Sequence, residues 1–171
     1  MNQRILSLLI ISLTVMLFLP APAFSQANNV FNSSGLDIPR FVSLRSDKVF
    51  VRTGPALRYP IKWVYKRKNM PVEIIQEFDT WRKIKDIDGE EGWIHQSLLS
   101  GRRHGIAQAD NPILIFKKPD KTARSLAEVE NDNVLRVHKC ETFWCDVEIK
   151  GFSGWIEKKS LWGVYQDEEF D

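Results

Sequence analysis

The residues best suited to chemistry in this sequence are two cysteines and three histidines. Cys140 and Cys145 lie five positions apart, and His138 lies two positions before the first of them. Such a group is compatible with a disulfide, a metal site or a thiol–imidazole dyad. Two cysteines at this spacing with one nearby histidine match no common zinc site, and His95 and His104 lie far away in the sequence.

The N-terminal residues predict the compartment, and with it the state of the cysteines. Residues 1–4 carry one positive charge, residues 5–19 are an uncharged run rich in Leu and Ile, and small residues follow Pro20. This order is typical of a secretory signal peptide, which we place at residues 1–27. The run is shorter than the ~20 apolar residues of a spanning helix, so we expect no stable membrane span after cleavage and a periplasmic or secreted protein. There the cysteines tend to oxidise to a disulfide, which leaves no thiol for catalysis.

Aromatic residues are the second group of candidate functional residues. Tyr59, Trp63, Tyr65 and Trp81 fall close together in the sequence. Tyrosine and tryptophan combine a large rigid contact area with a polar tip, which suits them to ligand binding. We therefore predict a ligand-binding surface at these four residues, the alternative being that they belong to the core. The candidates for a contact surface later in the chain are Phe143, Trp144 and Trp162.

Charge and motif content exclude several classes of function. The chain has 24 Lys and Arg against 22 Asp and Glu, a formal net charge of +2, so there is no basic excess for nucleic acid. The sequence holds no phosphate-binding loop, no paired metal histidines and no G-x-S-x-G motif. We expect a non-enzymatic protein without catalytic residues, cofactor or metal. A basic run, suited to acidic polymers or lipid headgroups unless it is only a solvated loop, comprises Arg58, Lys62, Lys66, Arg67 and Lys68.

The elements that position these residues are predicted to be short strands. Runs rich in Val, Ile, Trp and Tyr alternate with turn signals such as Asp88-Gly89. Many short strands with close turns are typical of a small barrel or sandwich. The best helix candidate, residues 122–130, is short. The predicted strands of the first half lie at residues 49–52, 61–65, 72–78, 81–87 and 92–95.

An internal repeat organises the chain. The order W…G…GWI…SL that begins at Trp81 recurs from Trp144, at an offset of 62 or 63 residues throughout. Chance does not copy so long an order at nearly constant spacing, so two copies of about 60 residues each fill most of the chain. We interpret Trp93 and Trp155, each of which follows a glycine, as core residues.

The repeat gives the cysteines a counterpart. Shifted by 63 residues, Cys140 and Cys145 fall on Glu77 and Arg82, and both pairs flank a four-residue connection between predicted strands. We predict a covalent cross-strand pair in the second copy and an ionic one in the first. The short disulfide ring stabilises the fold by roughly 2 kcal/mol in the chain-entropy model. An exposed ion pair contributes about 0.2–1 kcal/mol.

The first copy resembles the bacterial SH3-like (SH3b) domain in the order of its motifs. Residues 51–55 match a V-R-x-G-P opening, Trp81 begins a W-x-x-V-like strand, residues 88–94 match a D-G-x-x-G-W-V hairpin, and Ser97 begins the closing S-x-L. The second copy looks like the second half of exported two-repeat SH3-like proteins, although its opening lacks the glycine and the tyrosine. The resemblance implies an all-β fold of two small SH3-like β-barrels in tandem.

Domain organisation and function follow from the resemblance as expectations. We expect a signal peptide at residues 1–27, a linker at 28–40, repeats at 41–105 and 106–166, and an acidic, frayed tail at 167–171. Domains of this family commonly bind peptides, including those of the cell wall. The resemblance thus implies a non-catalytic periplasmic protein that recognises peptidoglycan peptides or cell-wall material through its first copy. The alternative is an interaction or assembly module for another envelope protein, because fold does not fix function.

Overall fold

The computed structural model describes residues 32–171 as two seven-stranded antiparallel sheets, one for each repeat. The expected all-β fold of two similar units in tandem is confirmed, and the predicted signal peptide lies outside the described residues. A 3-10 turn, Gln96–Leu98, precedes the last strand of the first sheet. In spatial order 3-2-6-5-4-1-7, the first sheet consists of β1 (Arg40–Leu44), β2 (Val49–Arg52), β3 (Ile61–Tyr65), β4 (Pro71–Phe78), β5 (Trp81–Lys85), β6 (Glu91–His95) and β7 (Leu99–Ser100).

The second sheet repeats the first with every strand number raised by seven. A second 3-10 turn, Lys158–Ser160, again precedes the closing strand. The helix considered for residues 122–130 is wrong, because Ser125–Val129 pairs with the preceding strand in the sheet. In spatial order 10-9-13-12-11-8-14, this sheet consists of β8 (His104–Ala107), β9 (Ile113–Phe116), β10 (Ser125–Val129), β11 (Val134–Cys140), β12 (Trp144–Ile149), β13 (Phe152–Glu157) and β14 (Leu161–Trp162).

Each repeat has its own core, formed by alternate residues of its strands. Ile84 of β5 and Ile94 of β6 are fully buried members of the first core. Trp93, one position before Ile94, points to the other face of the sheet, opposite Lys83. The interpretation of Trp93 and Trp155 as core residues is wrong, because both are only half-buried and the glycine before each takes the inward position.

The cross-strand pairs predicted from the repeat are confirmed. Cys140 and Cys145 are register partners on β11 and β12 and form a disulfide. Glu77 and Arg82 are register partners on β4 and β5, with Arg82 Nε 3.1 Å from Glu77 Oε1. The expectation of an exposed ion pair is wrong, since the Glu77 side chain is fully buried and that of Arg82 is 7% exposed.

The burial of Glu77 depends on the segment that precedes β1. Ser34 donates from its backbone N–H to Glu77 Oε2 at 2.6 Å and from its hydroxyl to Oε1 at 2.9 Å. Arg40, the first residue of β1, forms a second ion pair with the same carboxylate. Residues 32–40, which include the end of the expected linker, therefore pack on the first sheet through this carboxylate.

The acidic tail folds back on the second sheet. Phe170 and Cys140 exchange both backbone hydrogen bonds, at 2.9 and 3.1 Å. The Phe170 ring packs against the second core, and the Arg103 guanidinium lies 4.6 Å from the ring centroid. The expectation of a frayed tail is wrong, because packing of the Phe170 ring stabilises the ordered tail despite its negative charge.

The two repeats share an interface built around Phe41 of β1. The Phe41 ring centroid lies 5.1 Å from that of Trp162 and 4.7 Å from that of Tyr165. The Tyr165 hydroxyl donates to Glu73 Oε1 at 2.8 Å. Burial and the Glu73 carboxylate raise the pKa of Tyr165 above its ordinary value, so this hydroxyl remains a donor. Trp162, a candidate for a contact surface, lies in this interface.

His104 is the titratable group buried at the same interface. Its Nδ1 lies 2.9 Å from Ser43 Oγ, which itself donates to the Arg102 carbonyl at 2.7 Å. Burial lowers the pKa of His104, and the charges of Arg136, Arg102 and His138 lower it further against an opposing hydrogen bond to the Arg102 carbonyl. The intact interface therefore favours the neutral form of His104 relative to the unfolded chain.

Acidification is expected to weaken the fold through His104. Because its folded pKa lies below the ordinary 6.5, the unfolded chain binds the proton first, and stability falls as pH drops below about 6.5. The slope from this group is at most about 1.4 kcal/mol per pH unit. Thermal unfolding of wild type and His104→Asn between pH 7.5 and 5 measures it. Equal slopes for the two proteins would show that His104 does not carry the effect.

Candidate ligand-binding site

The aromatic residues predicted as a ligand surface lie on β3 and the loop before it. Tyr59 folds its ring over Gly54, where an added Cβ would lie 2.6 Å from the nearest ring atom. Arg52 Nη1 donates to the Tyr59 carbonyl at 2.8 Å, which fixes the end of the loop. The Arg58 guanidinium covers the Tyr59 ring at 5.1 Å from its centroid. A glycine is thus required at position 54 because the Tyr59 ring lies so close to it. Tyr59 itself is half-buried, with a cation on the outer face of its ring.

Trp63 and Tyr65 form a pair on β3. Their ring centroids lie 5.9 Å apart in an edge-to-face arrangement, and both rings pack against the first core. The Tyr65 hydroxyl donates to Asp86 Oδ2 at 2.7 Å. Burial and the Asp86 carboxylate raise the pKa of Tyr65, which keeps this donor protonated. Among the described residues, the buried Trp63 Nε1 has no hydrogen-bond partner of good geometry.

Trp81 lies beside His95 instead of joining these aromatics. Its side chain is 7% exposed, and its ring meets that of His95 edge to face at 5.5 Å between centroids. His95 also bonds to Ser97 at 2.8 Å, where it caps the 3-10 turn. Of the four residues predicted as one surface, the structure brings only Trp63 and Tyr65 into direct contact with each other.

The second repeat contains a groove at Phe143 and Trp144, two of the later candidates for a contact surface. Its floor includes Trp144, which meets Phe116 edge to face at 5.6 Å, and Phe143 forms one wall with 74% of its side chain exposed. The groove has a volume of about 620 Å³. The two aromatics are adjacent in sequence between the two cysteines, and that is the signal by which the groove could have been recognised. The groove is lined by Pro119, Asp120, Lys121, Phe143, Trp144, Glu157, Lys158, Lys159 and Gln166.

Charges of both signs line this groove. Glu157 Oε1 lies 2.8 Å from Lys121 Nζ, and Glu157 Oε2 lies 3.0 Å from Lys159 Nζ. Burial alone raises the pKa of Glu157, but the bonds from Lys121 and Lys159 outweigh it and hold the pKa below its ordinary value. The two lysines are 65% and 70% exposed, so their ammonium groups remain accessible to a ligand. The rim therefore carries one fixed carboxylate between two ammonium groups.

The C-terminal tail completes the groove. Lys158 is 1% exposed, and its Nζ donates to the carbonyl of Glu168 at 2.7 Å and to that of Gln166 at 3.4 Å. These bonds hold Gln166 at the groove wall, and the pairing of Phe170 with Cys140 holds the rest of the tail. The groove thus depends on residues that belong to the expected acidic tail and its junction.

The disulfide lies at the base of the turn that carries Phe143. Cys140 and Cys145 close the connection between β11 and β12, and within it Glu141 N–H donates to the Trp144 carbonyl at 2.8 Å. The Phe143 carbonyl accepts from the Lys158 N–H at 2.9 Å. The turn that forms the groove wall is therefore closed at its base by the disulfide between β11 and β12 and is held by a hydrogen bond to the 3-10 turn.

The described residues contain neither a candidate metal centre nor a membrane-spanning helix. Within residues 32–171, no cluster of three or more His, Cys, Asp or Glu side chains is placed to hold a metal ion. In the same part of the chain, no helix has the length and apolar character needed to cross a membrane. His138 Nε2 lies 3.1 Å from Glu148 Oε2, and Cys140 is in the disulfide. The thiol–imidazole pair considered from the sequence therefore has no thiol.

Comparison with known families identifies the fold. The family model for the bacterial SH3 domain matches residues 45–101 and again residues 109–163. The chain belongs to this family, with two tandem domains, and bacterial SH3 domains are binding modules. No curated protein matches the chain.

Several solved structures have partial similarity to this chain. They are NlpC2 from Trichomonas vaginalis (13% identity, 78% of this chain and 51% of that chain, TM-score 0.36) and NlpC1 from the same organism (15%, 77% and 48%, TM-score 0.33). A third is an NlpC/P60 family protein from Bacillus cereus ATCC 10987 (12%, 71% and 55%, TM-score 0.32). The chain spans about half the length of these structures. Similarity of this size establishes no shared function.

Proposed function

We propose that this protein is a non-catalytic binding module of the cell envelope that recognises peptidoglycan peptides through the groove of its second repeat. The observation that carries the proposal is the groove of about 620 Å³ with Phe143 and Trp144 on its surface. Aromatic side chains give a ligand large rigid contact area, and a few polar groups orient it. Membership of the bacterial SH3 domain family supports binding as the activity.

The charges of the groove favour a peptide that carries both carboxylate and amine groups. Lys121 and Lys159 present ammonium groups on either side of the Glu157 carboxylate. Peptides of the bacterial wall carry both carboxylate and amine groups. A ligand of this kind can pair with both signs at the rim while an apolar side chain packs on Phe143.

The first repeat offers a second contact surface within the same proposal. Tyr59 and Trp63 are half-buried and each lies under a cation, Arg58 in one case and Lys62, 4.8 Å from the Trp63 centroid, in the other. Trp81 and Tyr65 are less suited as anchors, because Trp81 is buried and the Tyr65 hydroxyl is used by Asp86. We propose that Tyr59 and Trp63 add contacts to longer wall fragments.

The disulfide and the family together support a location outside the cytoplasm. Structural disulfides persist in oxidising compartments, and Cys140–Cys145 is such a bond. Together with the family, the disulfide suggests an extracytoplasmic protein. We propose the periplasm or the exterior as its location, with residues 1–27 as the export signal.

Truncating Phe143 is expected to weaken binding to purified peptidoglycan sacculi at least tenfold. An exposed aromatic anchor on a groove wall contributes about 2 kcal/mol or more when a ligand buries it, and about 1.4 kcal/mol is a factor of ten. Binding of wild type, Phe143→Ala and Phe152→Ala to sacculi and to soluble wall peptides measures this. Phe152 is the matched control, since it is 52% exposed on the same repeat but lies at the opposite end of β13 from Glu157.

The outcomes separate the candidate sites and the candidate functions. Equal binding by all three proteins, with loss only in a Tyr59→Ala and Trp63→Ala double variant, would move the site to the first repeat. Absence of binding to sacculi and to wall peptides by wild type would refute peptidoglycan recognition. The assembly-module alternative would then be favoured, with the same groove as its contact surface.

A further inference from the structure

A cleft between the two repeats is separate from the groove described above. One side is the connection between β3 and β4 of the first repeat, and the other is the outer face of β8, β11 and β12. The cleft has a volume of about 400 Å³. The lining residues that matter for its chemistry are Arg67, Asn69, His104, Arg136, Glu148 and Lys150.

Sheet register fixes the residues on the second-repeat side of the cleft. Arg136 of β11 is the Cα partner of His104 on β8 and of Glu148 on β12, so these three side chains stand in a row on one face. The neighbours of Arg136 in the strand, Leu135 and Val137, are buried in the core on the other face. Arg136 is therefore held at the outer surface by the pleat, and it is exposed.

The first repeat contributes a guanidinium that is already anchored across the interface. Arg67 Nη1 donates to the carbonyl of Asp132 at 2.7 Å. A guanidinium has five N–H donors, so this single bond leaves donors for a further acceptor. This hydrogen bond does not neutralise the positive charge of Arg67, because the acceptor is an uncharged backbone carbonyl.

The cations of the cleft are not paired in salt bridges within the described part of the chain. Across residues 32–171, neither Arg67, Arg136 nor Lys150 takes part in a salt bridge. The one acidic side chain that lines the cleft, Glu148, lies 3.1 Å from His138 Nε2. Three cations and one carboxylate thus face the cleft, and the carboxylate, Glu148, is the cross-strand partner of Arg136. The positive potential is also felt by His104, because Arg136 contributes to its lowered pKa.

We propose that the cleft between the repeats binds a phosphate group. Two guanidinium groups and an ammonium group match the charge of a phosphate, and guanidinium pairs with phosphate oxygens in bidentate geometry. The volume exceeds that of one phosphate, so the group is part of a larger molecule or is accompanied by water. Phosphate reaches such a site either as a soluble phosphoryl compound or as a lipid headgroup, and the chemistry of the contact is shared by both sources.

The test uses inorganic phosphate and the purified protein. Titration at low ionic strength, followed by ¹H–¹⁵N spectra, is expected to shift the amides of residues 67, 136 and 150. Arg136→Gln is expected to weaken phosphate binding about tenfold, the effect of losing one charge-assisted pair. Arg58→Gln removes the same charge from the exposed loop at the far end of β3 and is expected to leave the affinity unchanged. Thermal unfolding of both variants checks that they remain folded.

Lipid vesicles distinguish the two sources of the phosphate group. Sedimentation with phosphatidylglycerol vesicles, against phosphatidylcholine alone, identifies a lipid headgroup if Arg136→Gln abolishes the binding. Phosphate binding without vesicle binding identifies a soluble phosphoryl compound. No shift at the cleft with millimolar phosphate, or equal weakening by Arg136→Gln and Arg58→Gln, overturns the proposal. Phosphate titration of Phe143→Ala separates this site from the wall-peptide groove, since that variant is expected to bind phosphate as wild type does.

Discussion

Glu77→Gln is expected to lower the free energy of unfolding by about 3–5 kcal/mol, the usual cost of removing one partner from a buried ion pair. The Glu77 carboxylate is fully buried and forms ion pairs with Arg40 and Arg82. Its loss leaves the Arg82 guanidinium, 7% exposed, without a counter-charge. The two hydrogen bonds from Ser34 also lose a charged acceptor, so the segment before β1 should detach more easily.

The effect of Glu77 should depend on pH in a defined direction. Burial alone raises the pKa of Glu77, but the bonds from Arg40 and Ser34 and the charge of Arg82 outweigh it and hold the pKa below the ordinary 4.5. The unfolded chain therefore takes up the proton first as pH falls. The stabilisation is fully present above pH 4.5 and is lost as pH falls through the folded pKa. The difference between wild type and Glu77→Gln should shrink in that acidic range.

Urea unfolding at pH 7 and at pH 3 measures both effects. Glu91→Gln is the control, because Glu91 also pairs with a lysine, Lys83, but its side chain is 41% exposed. An exposed pair is worth about 0–1 kcal/mol. The double variant Glu77→Cys with Arg82→Cys introduces into the first repeat a disulfide at the position equivalent to that of the second repeat. Under oxidising conditions this disulfide should recover roughly 2 kcal/mol of the lost free energy of unfolding. A loss for Glu77→Gln no larger than that for Glu91→Gln would contradict the assigned role.

The sequence was informative wherever the interaction was local or repeated. The W…G…GWI…SL order was sufficient to predict two all-β repeats, because each repeat presents the same turn residues at the same spacing. The same alignment predicted that Glu77 and Arg82 replace the cysteine pair, since register partners keep their places when strands keep their lengths. Trp93 was misplaced because a tryptophan after a glycine suggests a core position, whereas the alternation of β6 puts the glycine inside.

What could not be predicted came from contacts distant in sequence. Glu77 is buried by Ser34 and Arg40, from a stretch whose polar composition indicates a linker. The groove of the second repeat needs Gln166, held by Lys158 through backbone carbonyls that leave no trace in side-chain patterns. The aromatic candidates were correctly listed as residue types, but their exposure depends on which strand face they occupy. Trp81 is buried on β5, whereas Phe143 lies in the turn between β11 and β12 and is exposed.

Gly163→Ala is expected to lower the free energy of unfolding by about 3 kcal/mol or more, and the melting temperature by about 6–12 °C. Gly163 has φ of +113°, where an L side chain is strained by about 1–3 kcal/mol. An added Cβ would also lie 2.6 Å from the carbonyl oxygen of His104 and 3.1 Å from Pro71 Cβ. The first of these neighbours is backbone of the same sheet and the second belongs to the other repeat. Relief therefore requires shifts within the second sheet and a small displacement between the repeats, at about 1–3 kcal/mol more.

Gly151→Ala separates the two causes of this loss. Gly151 has φ of +85°, but an added Cβ would meet nothing within 4 Å. Only backbone strain acts there, so the cost should be about 1–2 kcal/mol. Calorimetry of both variants measures the difference in their free energies of unfolding. Crowding at the interface should also split the unfolding of Gly163→Ala into two transitions, because contact between the repeats couples the unfolding of one to that of the other. Equal losses for the two variants, each with a single transition, would show that Gly163 is required only for its backbone angle and that the repeats do not depend on close approach at this residue.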